Sequence, residues 1–147
     1  MEDRFVKFTV NIAKLHKLIQ KLKTDGMKQF DLKGTHTLCI YQLLLHTEGM
    51  TSTELSASCD LDPALVSRTL ASLTESQIVS RLGEPGKYLA RYVLTENGTI
   101  VAQEIQALIH GILEVADTGI PPEELTIFYR VLGRLVENLN TLPPQLL

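Results

Sequence analysis

Between Asp62 and Leu73 the chain reads DPALVSRTLASL, and the residue types on one side of it define a candidate chemistry. At helical spacing Ala64, Ser67, Arg68, Ala71 and Ser72 share a face. Four of the five are small, and the fifth carries a guanidinium that can donate two parallel hydrogen bonds to a guanine edge. The hydroxyls of Ser67 and Ser72 suit phosphate oxygens or base edges. The DNA major groove, about 12 Å wide, admits a helix whose leading face is slim. The same pattern also fits a close helix–helix contact. The opposite face, Val66, Thr69, Leu70 and Leu73, has the spacing to pack on neighbouring helices.

The flanking sequence supplies the elements that would position this helix. Asp62 has the character of an N-cap and Pro63 of a first helical residue. Upstream, Thr51-Ser-Thr-Glu54 matches a capping box that opens a helix to about Ser58. Some four residues, CDLD, separate the two helices, which makes a helix-turn-helix candidate. A short apolar helix, Thr37 to His46, precedes them. Downstream, Ile78–Leu82 is strand-like, Gly83-Glu-Pro-Gly86 is a turn signal, and Tyr88–Leu94 has β-branched and aromatic character. Thr95 then caps a further helix. Lys87 lies at the hairpin tip, flanked by Arg81 and Arg91, and either arginine has Glu84 or Asp62 as an alternative partner.

The ends of the chain carry narrow apolar seams. Phe5, Phe8, Ile12, Leu15, Ile19 and Leu22 are spaced 3, 4, 3, 4, 3 along a first helix that Gly26 is expected to end. Val101, Ile105, Leu108, Ile112 and Val115 repeat the pattern. Leu125, Phe128, Leu132, Leu135 and Leu139 repeat it again after IPPEE. These seams fit either a bundle within one chain or helices interlocked between two chains.

Composition narrows the class. The chain has 147 residues, 44% hydrophobic and 21% charged, enough for one domain with a core. Its net charge of −3 is unevenly distributed: residues 14–33 hold six lysines and two aspartates, whereas residue 96 onward holds two arginines and seven acids. No apolar run approaches the roughly 20 residues that span a bilayer. The start, MEDRFVKF, lacks the pattern of a secretory signal, so a cytoplasmic location is expected. Two cysteines, Cys39 and Cys59, suit core positions in a reducing compartment. The four histidines, His16, His36, His46 and His110, lack tight ligand spacing, and no phosphate loop, nucleophile elbow or paired-carboxylate signature is present. Neither an enzyme nor a cofactor or metal site is therefore expected.

Met50–Arg81 (MTSTELSASCDLDPALVSRTLASLTESQIVSR) and Val93–Gly98 (VLTENG) together resemble the MarR family of bacterial winged-helix transcription regulators. Glu54-Leu55-Ser56, Ser67-Arg68, Leu73, Ile78-Val79 and Leu94-Thr-Glu-Asn-Gly98 carry the likeness, and PPEELTIFYRVLGRLVENL looks like the family's C-terminal dimerisation helix. The family's Asp-Arg-Arg wing signature is replaced by Pro85-Gly86-Lys87-Tyr88. Gln77 stands where a glycine is usual, and Ser72 where a basic residue is common. The resemblance implies a mainly α (α+β) fold, a winged helix-turn-helix at 34–99 within one compact domain. Helices at 1–33 and 100–147 would form a dimerisation bundle. It implies a homodimeric regulator, in the expected role a repressor, on a pseudo-palindromic double-stranded DNA operator, with candidate contacts Thr53, Pro63, Ala64, Ser67, Arg68, Ser72, Arg81, Lys87 and Arg91. It also implies a small-molecule effector bordered by His16, Tyr41 and His110. The alternative is a dimeric ligand-sensing or protein-interaction module without strong DNA binding.

Overall fold

The structure is a computed structural model, and it describes residues 3–83 and 90–146. Lys87, the Glu84–Gly86 part of the expected turn and the first residues of the expected second strand lie outside the described residues. The chain divides into two compact units, Met1–Ile109 and His110–Leu147.

In the first unit, α1 spans Arg4–Met27. Asp3 starts it, its carboxylate accepting the backbone N–H groups of Phe5 (2.8 Å) and Val6 (3.2 Å). The helix runs through Gly26 rather than ending there. The glycine serves a close approach: a Cβ at this position would lie 3.1 Å from the Leu108 side chain. Two short 3₁₀ turns follow, then α2 (Thr37–Leu45), α3 (Ser52–Cys59) and α4 (Pro63–Glu75). Strands β1 (Met50–Thr51), β2 (Val79–Leu82) and β3 (Arg91–Leu94) form an antiparallel sheet in the order β1-β3-β2. Met50 lies opposite Tyr92, and Val79 opposite Leu94. β1 is not apparent from the sequence, because two residues show no alternation. Gly49 admits it by adopting φ 90° where a side chain would press within 2.9 Å of the Tyr92 carbonyl oxygen.

A single apolar cluster holds these elements together. Ile40 and Leu43 of α2, Leu55 of α3, Leu70 and Leu73 of α4, and Ile105 of the following helix, α5 (Glu96–Ala116), are among its buried members. Cys39 and Cys59 belong to it as well, as core residues. Burial, and then the neighbouring Cys59, push the Cys39 thiol up to about 12, so it is no thiolate at neutral pH. Two of the lysines in the basic N-terminal segment, Lys21 and Lys28, pair with Asp25 on the helix surface (3.0 and 3.3 Å).

Helix α5 (Glu96–Ala116) begins in the first unit and continues into the second, which also holds α6 (Pro122–Asn140). Pro122 stands at the first position of α6, and Glu123 and Glu124 oppose the positive end of its dipole. The apolar seam of α1 is uncovered, while those of α5 and α6 are covered in part. Along α1, Phe5 (74% exposed), Phe8, Ile12, Leu15, Ile19 and Leu22 all face solvent, and α6 contains no buried residue. No helix among the described residues is long and apolar enough to cross a membrane.

Candidate nucleic-acid interface

The two helices bearing the candidate contacts are fixed by local chemistry. At the start of α3 the Glu54 N–H donates to Thr51 Oγ1 (3.1 Å), and the Thr51 N–H donates to Glu54 Oε2 (2.9 Å), closing the capping box. The helix stops where Asp60 turns left-handed (φ 50°). Leu61 N–H then reaches back to the Ser56 carbonyl, while Ser56 Oγ donates to the Leu61 carbonyl (2.6 Å). Asp62 opens α4, its carboxylate accepting from the N–H groups of Ala64 (3.0 Å) and Leu65 (3.2 Å), with Pro63 first in the helix.

The two faces of α4 then separate cleanly. Val66, Thr69, Leu70 and Leu73 are buried, while Pro63, Ala64, Ser67, Arg68, Ala71 and Ser72 are exposed. Among the described residues the small side chains therefore do not mark a helix–helix contact. Arg68 stands on the bare face with no hydrogen-bond or ion-pair partner among the described residues. Thr53 is exposed in the first turn of α3.

The far end of α4 is tied to the sheet and to α5. Ile78 N–H returns to the Leu73 carbonyl (2.9 Å) across Gln77, which holds φ 61°. Thr95 Oγ1 donates to the Gln77 carbonyl (2.6 Å) and accepts the Gly98 N–H (2.9 Å). The same threonine's N–H donates to the Ile78 carbonyl (3.0 Å). The Leu-Thr-x-x-Gly segment is thus a joint: a threonine that caps α5 while holding the end of α4, and a glycine that lets the two backbones touch.

The basic residues of the hairpin divide in role. Arg81 is exposed on β2, without a hydrogen-bond or ion-pair partner among the described residues. Arg91 is engaged in the framework: its Nη2 donates to the Gly49 carbonyl (2.7 Å) and lies 3.5 Å from Glu54 Oε2. Its carboxylate partner among the described residues is thus Glu54 rather than Asp62, whose Oδ2 caps α4. The side chain remains partly exposed (42%), beside the start of α3. The candidate effector residues lie apart in the chain. His16 is exposed on α1 and Tyr41 is half-buried on α2, both in the first unit, whereas His110 is exposed in the second.

A helix-turn-helix followed by a β-hairpin, with a third strand contributed from before the first of its helices, defines a winged helix. The layout is that of MarR-type regulators. Staphylococcus aureus MepR in complex with DNA matches at TM-score 0.82 and 14% identity, covering 93% of this chain and 99% of the other. A putative MarR family regulator from Listeria monocytogenes complexed with a 26mer DNA matches at 0.81 and 16%, covering 95% and 90%. The MarR family regulator SP03579 matches at 0.80 and 21%, covering 96% and 95%. No family model matches the sequence.

Proposed function

We propose that the protein is a transcription regulator that inserts α4 into the DNA major groove and binds as a homodimer. The observation that carries this reading is the exposed face of α4, small throughout except for Arg68, on a helix whose other face is core. A helix bared in this way presents hydroxyls and one guanidinium to base edges without steric obstruction. Thr53 lies on the helix before it, and Arg81 on the adjoining strand is a candidate phosphate contact. Arg91 contributes chiefly by bracing β3 against α3, with its exposed part available to a phosphate. The solved MarR-type structures with DNA bound support the same use of the fold.

Dimerisation is favoured by the uncovered apolar residues of α1 and α6, since exposed patches of this extent mark association surfaces. Residues 34–99 are then the reading region, and 1–33 with 100–147 the pairing region. One half-site per subunit with few base contacts binds weakly, and a two-fold pair reads a pseudo-palindrome with half-sites about one helical turn apart. We assign the protein the role of a ligand-modulated repressor, which places it with the chromosome in the cytoplasm. The test is affinity for DNA from its own upstream region as a function of salt. A steep fall in log affinity with log salt, and preference over scrambled DNA, is expected. A weak, flat response that ignores sequence would instead favour a ligand-sensing or protein-interaction module.

A further inference from the structure

The first unit contains a wide-mouthed cavity of about 840 Å³, walled by the end of α4, by β2 and by the first turns of α5. Its volume falls within the range of small-molecule sites. Two opposite charges line it, Arg81 from β2 and Glu96 from α5. They do not pair with each other, and neither has another hydrogen-bond or ion-pair partner among the described residues. A cation and an anion facing one space without neutralising each other are complementary to a ligand carrying both signs. Ile100, 54% exposed, supplies an apolar surface beside them, whereas Val79 is 2% exposed and belongs to the core. Gln77 also lines the cavity while holding a left-handed backbone that a glycine would adopt at lower cost.

We infer that this cavity is a binding site for a free α-amino acid with an apolar side chain. Arg81 receives its carboxylate, Glu96 its ammonium group, and Ile100 packs on its hydrocarbon part. The site shares Arg81 with the proposed phosphate contacts, but its occupancy is measured on the protein without DNA, so failure of one reading is distinguishable from failure of the other.

The experiment is calorimetric titration of the full chain with L-isoleucine, N-acetyl-L-isoleucine and L-isoleucinamide. L-isoleucine is expected to bind about tenfold or more tightly than either blocked form, a difference of roughly 1.4 kcal/mol for each lost charge contact. Glu96→Gln is expected to weaken L-isoleucine about tenfold while leaving N-acetyl-L-isoleucine unchanged, because the latter has no ammonium group to lose. Ile100→Ser is expected to remove the preference for L-isoleucine over glycine. Absence of binding at millimolar L-isoleucine would overturn the assignment. Equal binding of the blocked forms, or identical affinity in a folded Glu96→Gln variant, would do the same.

Discussion

Gly98 on α5 lies flat against the carbonyl of Ile78, at the point where the chain leaves α4 for the sheet, and a Cβ there would collide with that carbonyl oxygen and carbon. The neighbour is backbone already engaged by the Thr95 N–H, so it has little freedom to yield. Gly98→Ala is expected to destabilise the fold by about 3 kcal/mol, at the upper end of overpacking costs. Urea denaturation measures it. A loss below 0.5 kcal/mol, the range of a neutral surface change, would show that the two backbones can separate cheaply.

Gln77 presents the reverse case. It adopts φ 61° with a side chain attached, a conformation that favours glycine. Gln77→Gly is expected to stabilise the chain by about 0.5–1 kcal/mol, the relief of left-handed strain less the added freedom of the unfolded chain. Thermal denaturation reads this as a higher midpoint; an unchanged or lowered midpoint would contradict it.

Arg68 projects from the exposed side of α4, without a hydrogen-bond or ion-pair partner among the described residues. Arg68→Ala is expected to leave the denaturation midpoint unchanged and to lower specific DNA affinity by about 1–3 kcal/mol, with relaxed preference at one base pair per half-site. Competition binding against single-base operator variants checks both parts. Retained discrimination at every position would remove Arg68 from the base-reading set.

His36 sets an expected pH dependence. Burial, and secondarily the positive charge of Lys33, hold its imidazole below the usual histidine range. Between that lowered value and the unfolded value near 6.5, the unfolded chain binds more protons than the folded one. Stability should therefore rise with pH across this window and be lost as pH falls through it. His36→Gln is expected to flatten the dependence of the urea midpoint between about pH 7 and 5. A slope unchanged by the substitution would assign it to other groups.

What could be read from the sequence follows the range of the interactions involved. The Thr51–Glu54 box and the Asp62–Pro63 start were legible because each closes within three residues. The buried and bare faces of α4 were legible because helical periodicity repeats them. Three features were not. β1 is too short to show alternation, and it forms only because Tyr92 lies opposite Met50. Arg91 finds Glu54 across 37 residues of sequence, which no local pattern encodes. The Arg81–Glu96 cavity joins the end of α4 to segments on both sides of the hairpin, and no single stretch carries its shape.

The division of α4 into a packed side and an open side also bears on how such a molecule changes over time. Ala64, Ser67, Ala71 and Ser72 are exposed, so on the proposed reading replacements there would alter the preferred DNA sequence at little cost in folding. Replacements at Val66, Leu70 or Leu73 do the opposite. If α4 reads DNA as proposed, target preference and stability are inherited on separate positions of one helix, and a duplicated copy would acquire a new operator without first acquiring a sturdier core.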